Sequence, residues 1–365
     1  MQRTTPPFRS EINGSFLRPQ CIKDARADFE AGRITSAEKD AIEEREVAKL
    51  VAQEEAIGLP VVSDGEFRRE WWHLDFLAGL TGVQKYEAER GYQFHGGVVT
   101  KPHNVKVVGK IDFPDDHPFL NHCKYLQSVT KNAVCKFTIP SPLLLCHPAI
   151  MNKEVYPNDQ DFYDDLGKTY KKALNAFYAI GLRYLQVDDT VWTALCDEGC
   201  RQLYIDNGID VQEMLKQWAA IFNHFLSDKP ADLTVSMHAC RGNYKSTYFC
   251  SGSYDFVAPI LFGTVNLDAF FLEYDDERSG TFEPLKHIKN QFVVLGVFTS
   301  KSGKLEDKEL IKARVAEAAK YVPLEQLCIS TQCGFASTED GNCLTEEEQW
   351  NKLKYIIEIS KEIWK

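Results

Sequence analysis

The chain has 365 residues, of which 44% are hydrophobic, enough for one large globular domain or two ordinary ones. Its net charge of -11 argues against a nucleic-acid-binding face, and no apolar run approaches the roughly 20 residues that span a bilayer. The first residues lack the apolar core of a signal peptide, so we expect a cytoplasmic protein. In that compartment, most of its 11 cysteines are expected to be reduced thiols.

Extended apolar segments alternate with helical patterns along most of the chain. Strands are predicted at residues 9–15, 59–65, 133–140, 182–188, 233–239, 269–273, 292–299 and 326–331. The clearest helices are predicted at 36–57, 161–180, 211–226, 307–321 and 346–364, with Ser36 as an N-cap and Asp307 opening the fourth. This order predicts an α/β fold, a single (β/α)8 TIM barrel. A doubly wound open sheet is the main alternative.

One long stretch, residues 68–132, does not fit a single helix. It contains several glycines and the alternating segment from Val105 to Ile111, which predicts an inserted hairpin or excursion over the barrel mouth after strand two. We therefore expect one domain over residues 1–365 with an insertion at about 68–132. Four aromatic residues in this stretch are candidates for a donor pocket or for core packing: Trp71, Trp72, Tyr92 and Phe94.

Polar residues follow the predicted strands at their carboxyl ends. They are Gly14-Ser15, Asp64-Gly65-Glu66, Pro140-Ser141, Asp188-Asp189, His238-Ala239-Cys240, Glu273, Thr299-Ser300-Lys301 and Cys333. The carboxyl ends of barrel strands meet at one mouth, where the active sites of such barrels form. The sequence therefore predicts a functional site at that mouth.

Four of these residues have the chemistry of zinc ligands. His238 and Cys240 stand two apart at the end of an extended run, so their side chains point to the same side. Nitrogen and sulfur together suit Zn²⁺, and Glu273 and Cys333 end later runs in the same way. Cys328 competes with Cys333 for the fourth position, but it lies within its apolar run. A solvated acidic loop is the alternative for Glu273.

Taken in order, the strand-end motifs resemble a known family. They are Ile12-Asn13-Gly14-Ser15, Ser63-Asp64-Gly65-Glu66-Phe67-Arg68-Arg69, Leu185-Gln186-Val187-Asp188-Asp189, His238-Ala239-Cys240, Phe271-Leu272-Glu273 and Gln332-Cys333-Gly334. The chain resembles the catalytic C-terminal half of cobalamin-independent methionine synthase, and more closely the short, single-barrel relatives of that half. The resemblance implies transfer of a methyl group from a methyltetrahydrofolate-type donor to the thiol of homocysteine, giving methionine.

The resemblance also implies roles for individual residues. It assigns zinc binding to His238, Cys240, Glu273 and Cys333. It assigns homocysteine binding to Gly14, Ser15, Glu66 and Asp188. The residues that would face the methyl donor depart from the family pattern. Ser141 follows a proline where the family has a tryptophan, and Lys301 stands near the position of the family's proton-donating histidine, which makes it the candidate proton donor.

Several alternatives stay open at this stage. Glu66 has arginines after it and would also suit a structural ion pair, and the Asp188-Asp189 pair could bind Mg²⁺. The chain could instead alkylate another small thiol, such as a coenzyme M-like sulfonate held by Arg18 or Arg68, or use a non-folate donor. A non-catalytic barrel that senses zinc or a thiol is a third class. Dimers are common among barrels, so a homodimer is one expected state.

Overall fold

The computed structural model describes residues 2–365. The strands in this part are β1 (Val61–Val62), β2 (Thr81–Glu87), β3 (His103–Asp112), β4 (Val134–Cys135), β5 (Phe137–Pro140), β6 (Tyr184–Asp189), β7 (Thr234–Ala239), β8 (Ala269–Glu273), β9 (Phe292–Phe298) and β10 (Leu327–Thr331). The helices are α1 (Gln20–Glu30), α2 (Ser36–Ala56), α3 (Leu74–Leu77), α4 (Pro118–Val129), α5 (Asp159–Ala179), α6 (Val191–Ala194), α7 (Glu198–Asp206), α8 (Val211–Phe225), α9 (Ala258–Thr264), α10 (Lys308–Ala318) and α11 (Glu346–Ile363). The strands and helices alternate, which confirms the α/β prediction.

The central feature is a six-stranded parallel sheet in which β5 to β10 pair in chain order. The register places Pro140 opposite Asp188, and Asp188 opposite His238. It also places Glu273 of β8 opposite Gly296 of β9. Because all six strands run the same way, their carboxyl ends lie on one edge, and the polar residues that follow them are brought together there.

The first two predicted strands are shorter than expected. Residues 9–15 pair only through single parallel bridges, from Ser10 to Ile329 of β10 and from Ser15 to Gly65. The second predicted strand is reduced to β1, which pairs in parallel with β4 just before β5. These segments carry Ser15 and Glu66 to the same edge as the ends of the six-stranded sheet.

The five predicted helices are present as α2, α5, α8, α10 and α11, each within three residues of the expected bounds. One cap differs. The N-cap of α2 is Thr35 and not Ser36, because the Thr35 hydroxyl accepts from the Glu38 N–H while the Glu38 carboxylate accepts from the Thr35 N–H. This is a capping box, which satisfies two otherwise unpaired donors. Asp307 caps α10 as predicted.

Residues 68–132 contain α3, the antiparallel hairpin β2–β3 and α4. The segment between the two hairpin strands reaches the loop after β7, where the His95 N–H donates to the Tyr248 carbonyl at 2.8 Å. Helix α4 instead packs against α2 and α5 in the helical layer. The segment between the hairpin strands thus contacts the loop after β7, and α4 belongs to the layer of helices around the sheet.

Apolar side chains fill both the sheet interior and the interface with the helices; Val187, Val235 and Leu295 are fully buried. A buried ion pair lies among them, with Lys136 Nζ 3.2 Å from Glu11 Oε2. No helix within residues 2–365 is long and apolar enough to cross a membrane.

Candidate active site

Four strand ends and loops bring His238, Cys240, Glu273 and Cys333 together at the carboxyl edge of the sheet. Each offers one ligand atom, and these nitrogen, sulfur and oxygen atoms lie within 4.8 Å of one another. All four residues are buried. His238 and Glu273 are fixed by the ladder of β7 and β8, while Cys240 and Cys333 follow β7 and β10 directly. The four predicted zinc ligands are therefore neighbours in space.

The geometry of this cluster suits a tetrahedral metal ion. Cys240 Sγ lies 3.6 Å from Cys333 Sγ, close to the roughly 3.8 Å expected between two thiolates on one tetrahedral zinc. Both ring nitrogens of His238 are buried and have no hydrogen-bond partner among residues 2–365. A buried imidazole with no partner is costly unless something else satisfies it, so the donor set fits zinc.

Glu273 is held by the protein on both carboxylate oxygens. The Arg241 N–H donates to Oε1 at 2.7 Å, and the Arg278 guanidinium donates to Oε2 at 2.8 Å. The same guanidinium contacts Asp275 at 2.7 Å. Glu273 is fully buried, so the alternative of a solvated acidic loop does not hold for this residue. Its orientation is fixed by the backbone N–H of Arg241 and the guanidinium of Arg278.

The structure distinguishes Cys333 from Cys328. The Cys328 thiol lies in the middle of β10 and contacts the Pro7 carbonyl at 3.9 Å, away from the cluster. Cys333 lies beyond the strand end, and the hydrogen bond from Cys240, with His238 nearby, holds the pKa of the Cys333 thiol well below its usual range. Cys333 is the cysteine that joins the cluster.

A cavity of about 150 Å³ opens beside the cluster. Six of the predicted site residues line it: Ser15, Glu66, Asp188, His238, Cys240 and Cys333. Gly334 also lines it, and a Cβ on this glycine would overlap the Ser15 hydroxyl, so only glycine fits without a shift. The cavity is thus lined both by residues of the candidate metal-binding cluster and by Glu66 and Asp188, the two acids predicted to bind the substrate amine.

Glu66 faces the cavity and also forms the ion pair considered from the sequence. Thr138 Oγ1 donates to Glu66 Oε1 at 2.8 Å, and Arg69 lies 3.5 Å from the same oxygen. The other oxygen, Oε2, is buried with no partner among residues 2–365. Burial raises the pKa of this carboxyl despite the arginine. Glu66 therefore has one oxygen held by the protein and one left to receive a ligand.

The two adjacent aspartates have different surroundings. Asp188 lines the cavity and accepts from the Gln186 amide at 2.7 Å, and burial together with nearby Glu66 raises its pKa to about 7. Asp189 turns away, and its carboxylate accepts from the backbone N–H groups of Val191 and Trp192 at 2.7 and 2.8 Å. Because the Asp189 carboxylate is held by these N–H groups at the start of α6, the pair does not present two carboxylates to one cation.

Three further predicted residues do not line the cavity. Gly14 has φ of 126° and packs against Thr138, so it shapes the turn before Ser15. Ser141 is fully buried, and its hydroxyl accepts from the Leu143 N–H at 3.2 Å. Lys301 lies with Nζ 3.8 Å from Asp275 Oδ2. A role for Ser141 or Lys301 in the reaction stays a prediction.

Sequence reasoning missed several groups around the site. Arg241 and Arg278 hold Glu273, and Asn243 ties two loops by donating to the Gly334 carbonyl at 2.8 Å. His73, Tyr244 and others line the outer cavity. Arg241 and Asn243 follow Cys240 closely in the sequence, and this proximity could have indicated that they lie near the site. The contact made by Arg278 depends on the loop after β8, which no pattern indicates.

The two arginines considered for a sulfonate lie elsewhere. Arg18 is buried and donates to the carbonyls of Phe16, Glu66, Arg69 and Ala336, which fastens three loops together. Arg68 pairs with Glu44 at 3.5 Å and stacks on Tyr125. Across residues 2–365, no lysine or arginine lines the cavity. The cavity therefore offers an anionic thiol no cationic side chain.

Comparison with known proteins gives the family. The model of the catalytic domain of cobalamin-independent synthase matches residues 10–361. The chain belongs to this family. Its members are methionine-synthase-like methyltransferases, and the resemblance read from the strand-end motifs is thus confirmed.

Individual relatives agree with this assignment. The YxjG protein of Bacillus subtilis is 47% identical over 369 residues, covering 100% of this chain and 97% of its own. The 5-methyltetrahydropteroyltriglutamate--homocysteine methyltransferase of Listeria welshimeri is 22% identical, covering 98% of this chain and 43% of that protein. The matched region is therefore a part of the longer enzyme.

Two solved structures share the fold. A protein from Listeria monocytogenes described as a vitamin-B12 independent methionine synthase has a TM-score of 0.81 and 39% identity, with 99% of each chain covered. A B12-independent methionine synthase from Shewanella sp. W3-18-1, solved with selenomethionine, has a TM-score of 0.73 and 17% identity, covering 100% of this chain and 98% of that one. The second likeness concerns the fold alone.

Proposed function

We propose that this chain is a zinc-dependent methyltransferase that methylates the thiol of homocysteine and so produces methionine. The observation that carries the proposal is that one cavity is lined both by candidate metal ligands and by carboxylates. His238, Cys240 and Cys333 line it on one side, and the two carboxylates Glu66 and Asp188 line it as well. A substrate that bears both a thiol and an ammonium group would satisfy both.

The residues that would hold the metal are His238, Cys240, Cys333 and Glu273. A bound Zn²⁺ lowers the pKa of a coordinated thiol, so it would supply a thiolate nucleophile at neutral pH. Glu273 is the most replaceable of the four, because Arg241 and Arg278 can keep its carboxylate satisfied when it leaves the metal. The protein thus has an alternative position for one ligand while a substrate sulfur binds.

The remaining groups orient the amino acid. The free oxygen of Glu66 and the carboxyl of Asp188 would accept from the ammonium, and Ser15 would donate to the carboxylate. The absence of cationic side chains from the described lining favours an aminothiol over a sulfonate thiol. The donor used in this family is of the methylfolate type, and we take it as the donor implied by membership.

We also propose that the sheet closes into a barrel. The segment 9–15 bridges to β10 at one end and to Gly65 at the other, and β1 pairs with β4, which leads into β5. Those contacts would link the two edges of the six-stranded sheet. Closure would fix all eight strand ends around one mouth, as catalysis there requires.

The first experiment measures zinc content and follows the zinc–sulfur coordination by X-ray absorption when homocysteine is added. We expect about one zinc per chain, by the ligand set, and one additional sulfur ligand with homocysteine. Zinc whose coordination changes with another thiol but not with homocysteine would transfer the proposal to that thiol. Absence of stoichiometric zinc would falsify the mechanism.

A further inference from the structure

Asn13 lines the cavity beside three residues that we propose to bind the substrate: Ser15, Glu66 and Asp188. Its side chain is buried, and the amide nitrogen donates to the Thr331 carbonyl at 2.6 Å. Because a carbonyl can only accept, the amide cannot turn over without placing its own oxygen against another oxygen. The orientation of the Asn13 amide is therefore fixed by the end of β10.

The oxygen of this amide, Asn13 Oδ1, is buried and has no hydrogen-bond partner within residues 2–365. Leaving a buried acceptor unpaired costs free energy, so such an atom indicates a partner that comes from outside the chain. Glu66 Oε2 is in the same state, and the proposed function assigns it to the substrate ammonium. Two oxygens from the lining of one cavity are therefore available to one ligand.

Two further contacts place Asn13 close to Glu66 and Asp188. The side-chain amide of Gln186 donates both to the Asn13 backbone carbonyl and to Asp188 Oδ1, each at 2.7 Å. A Cβ added to Gly14, the next residue in the chain, would lie 3.4 Å from Glu66 Oε1. Asn13, Glu66 and Asp188 therefore line one compact part of the cavity.

The acceptors in this part of the cavity match the donors of one chemical group. A primary ammonium carries three N–H groups and no acceptor. Glu66 and Asp188 supply two acceptors, and Asn13 Oδ1 supplies a third without adding a charge. A third carboxylate would be unfavourable here, because burial and the nearby Glu66 already raise the pKa of Asp188 to about 7. An amide oxygen avoids that repulsion.

We propose that Asn13 is a specificity-determining residue whose side-chain oxygen accepts the third N–H of the substrate ammonium, so that the site selects a primary aminothiol. The inference rests on the proposed function, since it assigns a further contact to the homocysteine which that function requires. A nitrogen that carries a methyl group is disfavoured, because the methyl group replaces one of the three N–H groups and faces an oxygen. The hydrogen bond from Asn13 to Thr331 holds the third acceptor in place.

The first test needs no variant and compares thiols that differ at the nitrogen. Calorimetric titrations of the full-length zinc-loaded protein use homocysteine, N-methylhomocysteine and 4-mercaptobutyrate, which has no nitrogen. We expect N-methylhomocysteine to bind at least about tenfold more weakly than homocysteine, because one hydrogen bond from a charged donor is lost. Equal affinities for these two aminothiols would overturn the proposal.

The second test uses Asn13→Ala. We expect it to weaken homocysteine binding about tenfold and to leave 4-mercaptobutyrate binding unchanged, since that thiol has no N–H to lose. The same variant should tolerate the N-methyl group better than the parent protein does, because the methyl group occupies the space of the removed amide.

Asn223→Ala is the matched control. The Asn223 amide also donates to a backbone carbonyl, that of Thr264 at 2.9 Å, but its oxygen already accepts from the Asn266 N–H. This variant should change the affinity for none of the three thiols. Equal losses for homocysteine and 4-mercaptobutyrate in Asn13→Ala would indicate a general change of the cavity and overturn the proposal. An unchanged homocysteine affinity would also overturn it, by showing that a buried water satisfies the oxygen.

The two proposals fail in distinguishable ways. If homocysteine does not alter the zinc coordination, the thiol chemistry of the proposed function is wrong. Methionine titrated into the zinc-free protein then still tests the amine contacts, and an affinity that Asn13→Ala lowers about tenfold would support the inference. No binding, or binding that the substitution leaves unchanged, would overturn it. If homocysteine binds at the zinc and N-methylhomocysteine binds equally well, only the inference about Asn13 is wrong.

Discussion

The inner and outer parts of the cavity are built differently. The inner part of the cavity is lined by buried residues that lie in the last residues of a strand or shortly after it, so the sheet sets their positions: His238, Cys240, Cys333, Glu66 and Asp188. The outer part of the cavity is lined by rings from loops, which we call the aromatic mouth: Trp71, Trp72, Tyr92, Phe94, Tyr244 and Phe249. Two of these rings, Tyr92 and Phe249, are more than a third exposed. A chemical group that must be placed to a fraction of an ångström is carried by the rigid sheet, while groups that select a ligand by shape are carried by loops.

This difference predicts how substitutions act. Changes in the inner part should alter metal binding or fold stability, because buried polar groups there depend on one another. Changes in the aromatic mouth should leave both intact and alter only ligand affinity. The predictions below are ordered from the largest expected effect to the smallest.

The largest effect is expected for Cys240→Ala. Removing one of two sulfur ligands should reduce zinc from about one per chain to nearly none under chelator challenge, because the ion would keep one thiolate, one imidazole and a carboxylate that already accepts two hydrogen bonds from the protein. Elemental analysis after dialysis measures this. Cys328→Ala is the control, because Cys328 is equally buried but lies away from the cluster. Zinc lost in both variants would mean that general destabilisation, and not ligation, is being measured.

Arg278→Met should lower the free energy of unfolding by about 3 kcal/mol, because it removes the guanidinium that two buried carboxylates, Glu273 and Asp275, share. Urea unfolding of the zinc-free protein measures this. The control is Arg183→Met, whose partner Asp232 is 60% exposed, and whose loss should cost about 1 kcal/mol or less. Equal losses would show that Arg278 does not hold Glu273 in solution.

Gly334→Ala should weaken homocysteine binding and cost about 2 kcal/mol of stability, because the new methyl group collides with the Ser15 hydroxyl. Calorimetry and urea unfolding measure the two quantities. Gly263→Ala is the matched change: nothing lies within 4 Å of its added Cβ in α9, so it should be neutral or slightly stabilising. A silent Gly334→Ala would mean that the loop after β10 is not closely packed on Ser15.

A smaller effect concerns pH. Burial raises the pKa of Asp188 to about 7, so below that pH the carboxyl is protonated and must lose its proton to pair with the substrate ammonium. Homocysteine affinity should therefore fall by up to about tenfold per pH unit below 7. The Asp188→Asn variant should lose this dependence, as should the parent protein with 4-mercaptobutyrate, which lacks the amine. A dependence that persists in both would assign it to the thiol and not to Asp188.

The smallest effect is expected in the aromatic mouth. Phe249→Leu should change the free energy of unfolding by about 0.5 kcal/mol or less, because its ring is 40% exposed. Urea unfolding beside the buried Phe76→Leu variant, which we expect to lose well over 1 kcal/mol, measures the contrast. A large loss at Phe249 would remove the distinction between the two parts of the cavity.

Much of the fold and of the inner site followed from local patterns in the sequence. Continuous apolar runs predicted six strands and helical spacing predicted five helices close to their bounds, because strands buried on both faces are apolar throughout and a helix buried on one face has a regular pattern. The ligand set was predicted because nitrogen, sulfur and carboxylate groups each followed an apolar run, and parallel strands end on one edge. The expected first strand, residues 9–15, is reduced to single bridges, since pairing depends on the neighbouring chain and not on the segment itself.

The sequence by itself determined the parallel α/β architecture and which residues are candidate metal ligands, because both depend on spacing and residue type within short segments. Tertiary structure alone decided that Asp188 faces the cavity while Asp189 accepts from the first N–H groups of α6, that Arg18 connects three loops, and that Arg278 holds Glu273. These outcomes depend on strand register and on loop paths that join residues far apart in the chain. The aromatic mouth, where the hairpin meets the loop after β7, belongs to this second class.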